Sequence, residues 1–520
     1  MTQTTLASGE GGAPPAGKPT PADVQSGAPR AGKRSSRILV NAGFRGVADI
    51  GSKIATAALY IVVARKLGAT EFGVYVFGLS FVGVVTAFGY FGQDIVLTRE
   101  VARDHGRLDE YYSNAMVSRA MFTLPPLLLA LLVASLAGMS GHTRIVILVL
   151  GFGLMGEYMV QVPFAVFQAY ERLGLVAVVL IAQRWITTSV AIVALYLGAG
   201  LVTVVVIYAL GTLSAAALGT AMMYRYIGRP RLRVDLRGAL RVTREAFPIG
   251  IALVALTVLF RVDMAMLAIF KPTSQVGQYG AAYKLLETTA FFSWAVNIAV
   301  LPSLARLSPT TTPTVGEVYQ RGLKLVIAIT LPVAVGAIVL AGPVISLLYG
   351  AQYHPAAKAL ALLAPTIALF PISALSSQLF FSQRGRPTVA IVYAIVAVEN
   401  IALNLFLIPR FSLEGAAAGT SISELLVAGM LITLAGDLHG RLQIRRMLAG
   451  AVLGSAAAGG LLVLFHHKPL IAVPLAAIAY FAVLLGYERL AFPDDFSVIQ
   501  VLIAQLRARM VRPAASGRIS

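Results

Sequence analysis

Cysteine is absent from the 520 residues, which removes disulfides, thiolate nucleophiles and cysteine-bound metals from consideration. Charge is the next scarcity. Only 12% of the chain is Asp, Glu, Lys or Arg, against about a quarter in soluble proteins. A soluble chain of this length would divide into several domains, each needing a wet, charged surface that these residues cannot supply. Histidine is also scarce, with six copies, all read as falling in loops, so none forms an i, i+4 pair with a carboxylate on a helix as a helical metal site would. His466-His467 reads as a solvated turn rather than a metal pair. Phosphate loops of the GxxxxGK[ST] type are missing, which excludes nucleotide hydrolysis by this chain. A non-enzyme is therefore expected.

What the chain has is apolar surface. Hydrophobic residues make up 58% of it and the mean hydropathy is +0.79, the signature of a polytopic membrane protein. A span needs roughly 20 mostly apolar residues. Fourteen stretches qualify: 38–64, 72–95, 115–138, 144–168, 174–197, 200–223, 247–270, 277–304, 322–348, 357–381, 387–408, 413–435, 447–465 and 469–488. The fold class expected is all-α, with two six-helix pseudo-repeat lobes around a central cavity and two extra C-terminal helices. The implied divisions are a disordered tail at 1–37, a first lobe at 38–223 and an Arg-rich linker at 224–246. A second lobe at 247–435, helices at 447–488 and an amphipathic tail at 489–520 complete the chain. The first tail is rich in Gly, Pro, Ala, Ser and Thr and has no apolar run, so it cannot offset the entropy of ordering. No cleaved signal peptide is apparent.

The net charge of +19 would suggest nucleic acid in a soluble chain; here it reports orientation. With the N-terminus inside and loops assigned alternately, thirty of the 42 Lys and Arg residues fall on the cytoplasmic side and seven on the other. Arg99, Arg103, Arg107 and Arg119 are counted among the thirty, as are seven residues of the linker. This asymmetry places both termini in the cytoplasm. No nucleic-acid partner is expected.

Two pieces of sequence recur at nearly one offset. Phe72-Gly73-Val74-Tyr75 answers to Val276-Gly277-Gln278-Tyr279, 204 residues on. Glu110, Tyr112, Leu124 and Pro125 answer to Glu317, Tyr319, Leu331 and Pro332, 207 residues on. Six spans per unit is an even number, so the units share one orientation across a central cavity. Pro125-Pro126, Pro163, Pro302, Pro332, Pro343, Pro365 and Pro371 are expected to bend or interrupt spans.

Ionisable residues inside spans cost at least ~2.5–3.5 kcal/mol each, so they face protein or water. Arg45, Asp49 and Lys53 share one helical face at i, i+4 and i+8. Glu157 and Arg184 follow, then Arg261 with Asp263, Lys284 with Glu287, Glu399 beside Asn400 and Asn404, and Glu424. They imply either a hydrated interior or, pair by pair, simple pins between helices. The cations Arg45, Lys53, Arg184, Arg261 and Lys284 are the candidate binders of an anion. The tail's Phe496, Ile499, Leu502, Ile503, Leu506 and Met510, set among Arg507, Arg509 and Arg512, fit either the membrane surface or a partner helix.

An ordered series of motifs resembles the polysaccharide transporter family, the lipid-linked oligosaccharide flippases of the multidrug/oligosaccharidyl-lipid/polysaccharide exporter superfamily. It begins with Ala64-Arg65-Lys66-Leu67-Gly68 and Glu71-Phe72-Gly73-Val74-Tyr75. Gly92 and Leu97-Thr98-Arg99-Glu100 come next, then Val276-Gly277-Gln278-Tyr279-Gly280-Ala281-Ala282-Tyr283-Lys284. Leu301-Pro302, Leu348-Tyr349-Gly350 with Tyr353, and Asn404 through Ile408-Pro409 to Glu414-Gly415-Ala416-Ala417 complete it. The resemblance covers residues 38–435. It implies a fourteen-helix, two-lobed fold with a V-shaped cavity opening alternately to each side. It further implies a polyprenyl-diphosphate-linked oligosaccharide as substrate, moved across the bacterial cytoplasmic membrane for surface polysaccharides such as O-antigen or exopolysaccharide. Membrane lipids, a polysaccharide polymerase and glycosyltransferases are the partners it implies. Related lipid II flippases hold sodium with an Asp, an Asn, an Asp and a Thr; the matching positions are Asp263, Asn400, Asn404 and Thr420. Asn404 stands where the second carboxylate would be, lowering the charge of that sodium site, and Glu399 or Glu424 offers proton coupling instead. A multidrug antiporter of the same superfamily and a non-transporting scaffold of a glycan-synthesis complex are the rival readings.

Overall fold

The computed structural model describes residues 28–233, 235–289, 315–382, 387–439, 443–466 and 468–493. All regular structure among them is helical. The chain runs through α1 (Ala28–Val85), α2 (Gln93–Arg103), α3 (Leu108–Leu136), α4 (Gly141–Ala169), α5 (Leu173–Tyr196) and α6 (Leu201–Tyr226). It continues through α7 (Leu236–Phe270), α8 (Thr273–Thr289), α9 (Val315–Val339) and α10 (Ala341–Tyr349). The last elements are α11 (Ala356–Ser382), α12 (Thr388–His439), α13 (Ile444–Leu464) and α14 (Pro469–Ala491).

Eleven helices among the described residues are long and apolar enough to cross a membrane. Two are too long for one crossing. Ala48–Val85 has 38 residues and Thr388–Asp437 has 50, roughly 57 and 75 Å at 1.5 Å per residue, against a hydrocarbon core of about 30 Å. Each is bent once, at Gly68 (φ 81°) and at Ser412 (φ 55°). Glycine takes the positive φ of the first bend without penalty. Counting each bent helix as two crossings brings the total to thirteen. The remaining expected span, 277–304, starts as α8 and passes into residues outside those described.

Several expectations shift. Helix α1 begins at Ala28, ten residues inside the segment expected to be an unstructured tail. The span expected at 322–348 is two helices, α9 and α10, divided at Leu340 with Pro343 in the first turn of α10, where a proline ring is tolerated. Helices α3, α4, α9 and α11 run through Pro125-Pro126, Pro163, Pro332, Pro365 and Pro371 without ending. Pro302 and residues 494–520 of the amphipathic tail lie outside the described residues, while the tail's first residues continue α14 to Ala491.

Arg119 is not a surface residue of a cytoplasmic loop. It lies within α3 with its side chain fully buried, 3.3 Å from Asp94 Oδ1, and donates to the carbonyl of Tyr158.

Helices α13 and α14 pack on one another through small residues: a Cβ at Gly454 would come within 2.9 Å of the Tyr480 ring. The pair is fastened to α9 by Lys324 Nζ to Glu488 Oε2 at 2.5 Å and by Tyr480 Oη donating to the Ala328 carbonyl at 2.5 Å. The largest apolar core joins the two halves, with Phe72, Tyr75 and Val76 of α1 against Val276, Tyr279 and Tyr283 of α8.

Candidate functional site

A cavity of about 770 Å³ lies between the halves, lined from α1, α4, α5, α6, α7, α8 and α11. Its wall carries the cations Lys53, Arg184, Arg261 and Lys284 and the carboxylates Asp49, Glu157 and Glu287. Tyr60, Tyr75, Tyr208 and Tyr283 supply aromatic faces tipped with hydroxyls. Four of the five nominated cations thus meet in one space. The side chain of Arg45 lies outside the described residues.

The cations are not equivalent. Arg184 is ion-paired with Glu157, whose other oxygen accepts from Tyr208 Oη at 3.0 Å. Lys284 Nζ sits 2.7 Å from Glu287 Oε2 and 4.3 Å from the centre of the Tyr60 ring. Arg261 and Lys53 have neither an ion pair nor a hydrogen bond among the described residues. Glu287, whose charge acts on both, lines the same cavity. Three cations, Lys53, Arg261 and Lys284, therefore stand against two carboxylates, Glu287 and Asp49. Arg261 packs its methylenes on Gly83, where an added Cβ would meet its Cδ at 3.1 Å, and this leaves the guanidinium to the cavity.

Arg261 and Asp263 do not pair, against the simplest reading of their spacing. Two residues apart on a helix they point in different directions. Asp263 is fully buried between α7, α8 and α12. Its Oδ2 accepts from the Tyr279 hydroxyl and from Thr420 Oγ1 at 3.0 Å, and its Oδ1 from the Met264 amide at 2.7 Å.

A second polar cluster lies on α12. Asn404 Nδ2 donates to Asn400 Oδ1 at 3.0 Å, Asn400 Nδ2 to Ser423 Oγ at 3.0 Å, and Ser423 Oγ to Glu399 Oε2 at 2.9 Å. Asn404 Oδ1 and Glu424 Oε1 are buried with no hydrogen-bond partner among the described residues. Asn404 Oδ1 lies 2.7 Å from where a Cβ on Gly419 would be, one residue from Thr420. The four nominated ion ligands therefore fall into two neighbouring groups, Asp263 with Thr420 and Asn400 with Asn404. All their free donor atoms are oxygen, the ligand a small hard cation takes.

One end of the cavity is sealed by backbone contact. Gly73 and Gly277, the glycines of the two recurring motifs, lie back to back, each amide nitrogen 3.0 Å from where the other's Cβ would be. Arg65 Nε donates to the Leu348 carbonyl at 2.7 Å and the same guanidinium reaches Leu347, capping α10 from the opposite half. Tyr353 Oη donates to Ala64 O at 3.2 Å.

Tyr279, Tyr60 and the Arg119–Asp94 pair escaped the sequence reading. Tyr279 sits in a quoted motif and is four residues from Tyr283 and two from Gly277, a signal that could have placed it beside Asp263. Nothing local announces the other two.

Three comparisons bear on this geometry. A probable low-salt glycan biosynthesis flippase, Agl15 of Haloferax volcanii, is 23% identical over 367 residues, 69% of this chain and 75% of that protein. The structure of the lipid II flippase MurJ in an inward closed conformation superposes with a TM-score of 0.72 at 16% identity, covering 86% of this chain and 98% of that one. An inward-facing multidrug resistance transporter of the MATE family gives a TM-score of 0.55 at 13% identity, covering 74% of this chain and 95% of that one. These structural likenesses establish the fold. Residues 38–308, more than half of the 520, match the polysaccharide biosynthesis protein family, and the chain belongs to it.

Proposed function

We propose that the chain is a flippase that carries a polyprenyl-diphosphate-linked oligosaccharide across the bacterial cytoplasmic membrane by alternating access. The observation that carries this reading is the excess of cations on one wall, where Lys53, Arg261 and Lys284 stand with two carboxylates, Glu287 and Asp49, while Arg184 is paired with Glu157. In a low-dielectric wall an excess of cations is costly unless an anion completes it. A diphosphate supplies that anion, and guanidinium geometry suits its oxygens. Tyr60 and Tyr75 beside the cations offer apolar faces to sugar rings. Both termini are cytoplasmic in this scheme, and Arg45 is nominated with these cations as a binder of the anion.

Asp263, Thr420 and the free oxygen of Asn404 are the seat of the coupling cation, with Asn400 fixing Asn404. Glu399 and Glu424 are the proton-carrying alternative. The partners are the polymerase and glycosyltransferases that use or make the lipid-linked glycan.

The test is translocation of a fluorescent polyprenyl-diphosphate oligosaccharide in proteoliposomes. Arg261→Ala should reduce initial rates by at least tenfold and Arg261→Lys by less, while Arg184→Ala, whose partner is Glu157, should also disturb packing. Full activity in Arg261→Ala with normal insertion would defeat the assignment. Transport of a cationic drug in place of the glycan would favour the exporter reading.

A further inference from the structure

The stretch joining α6 to α7 carries seven arginines, Arg225 to Arg244, and charge-orientation alone does not explain how they are displayed. The chain leaves α6 after Tyr226 and begins α7 at Leu236. It is stapled to α3 at one point: Ser113 Oγ donates to the Arg231 carbonyl at 2.9 Å and accepts from the Arg233 amide at 3.2 Å. Arg99 also reaches Glu245 at 3.6 Å. The segment is therefore held in place, yet Arg229, Arg231, Arg233, Arg237 and Arg244 are exposed and have no ion pair or hydrogen bond among the described side chains.

The first turns of α7 divide into sectors. At 3.6 residues per turn, Leu236, Leu240 and Phe247 fall within roughly 40° of one another, and Arg237, Arg241 and Arg244 occupy the adjoining sector. The three apolar side chains are 57%, 52% and 54% exposed. Gly238, Ala239, Val242 and Ala246 fill the opposite face and are buried. Ile251, 39% exposed, continues the apolar stripe into the span Ile249–Phe270. An apolar stripe continuous with a lipid-facing helix, flanked by arginines, is the arrangement of an interfacial segment among headgroups.

We propose that residues 229–247 form a docking surface for the anionic phospholipids of the leaflet it faces, Arg229, Arg231, Arg233, Arg237 and Arg244 receiving phosphate headgroups while Leu236, Leu240 and Phe247 enter the acyl boundary. The continuity of the stripe with the span selects lipid over an acidic protein, which would not need it. Because this stretch is the connection between α6 and α7, bound lipid anchors the base of α7 at headgroup depth, on the same helix that holds Arg261 in the cavity. The inference does not depend on what the cavity carries.

The test uses full-length protein in detergent, titrated with phosphatidylglycerol or phosphatidylcholine and read by native mass spectrometry and thermal melting. Wild type should retain phosphatidylglycerol over phosphatidylcholine, with retention and the rise in Tm both falling as salt increases. The variant Arg231→Gln/Arg233→Gln/Arg237→Gln/Arg244→Gln should lose that preference at least fivefold, whereas the same four changes to Lys should keep most of it. Phosphate and pyrophosphate should not displace the lipid. Equal retention by wild type and the Gln variant, displacement by pyrophosphate, or no preference between the two lipids would overturn the proposal. Should the fourfold variant fail to fold, Arg231→Gln/Arg233→Gln alone, both exposed, must still weaken retention.

Discussion

The back-to-back glycines at positions 73 and 277 invite the most direct perturbation, Gly277→Ala. An added Cβ would lie 3.0 Å from the Ala69 carbonyl carbon and from the Gly73 amide nitrogen, and closer still to the Ala69 oxygen. Carbon atoms rest about 3.5–4.0 Å apart, so α1 and α8 must part by at least ~0.5 Å. The obstructing atoms are backbone, and no side chain can swing aside. Overpacking of this kind costs about 1–3 kcal/mol, which falls on the sealed arrangement and shifts the sealed-to-parted ratio by roughly 5- to 150-fold. The chain has no native cysteine, so spin labels on Thr70→Cys and Gln352→Cys, both exposed, report this end alone by pulsed dipolar spectroscopy. Gly277→Ala should add a longer-distance population. Gly336→Ala should not, since its Cβ would meet nothing closer than Leu462 Cδ1 at 3.9 Å. An unchanged distance distribution in Gly277→Ala would refute the reasoning.

Lys324→Met leaves the Glu488 carboxylate, 4% exposed, without its cation, and stability should fall by about 3–5 kcal/mol. The double change Lys324→Met/Glu488→Leu should recover most of the lost Tm; a double variant no more stable than the single would contradict the pair's role. At the base of α2, burial alone would raise the Glu100 carboxyl, but the hydrogen bond and charge of Arg99, with Arg103 and Arg107, hold it below the usual range. A carboxylate lowered in the folded state adds stability above its unfolded value, near 4.3, and loses it as pH falls through the lower folded value. Melting from pH 7 to pH 3 should therefore show a shallower decline in Glu100→Gln than in wild type, and identical slopes would count against the cluster.

The helices were legible because each span carries its own signal: apolar length decides crossing, whatever the neighbours do. Connections were less so. Gly68 marks a bend in a helix rather than the loop its spacing suggested, because glycine admits a single positive φ while helical hydrogen bonding continues on both sides. Leu340 divides a run that reads as one span, since nothing apolar distinguishes a break from a continuation. Prolines were poor guides: α11 passes both Pro365 and Pro371 because neighbouring groups take up the freed carbonyls.

The charges show where sequence reading stops. Arg119 and Arg261 are both arginines on apolar helices, and position relative to a span end put the first at the surface and the second in the cavity. Tertiary contact reverses the first assignment: Arg119 is fully enclosed beside Asp94. Arg261, two residues from an aspartate in sequence, has no ion partner among the described residues, because Asp263 turns away to Tyr279 and Thr420. Whether an intramembrane cation is a pin or a binder depends on its distance to a carboxylate on another helix, and spacing along one helix cannot give that distance. Sequence supplies the inventory of charge. Packing decides that Arg184 is committed to Glu157 and that Lys53 and Arg261 are left to the cavity.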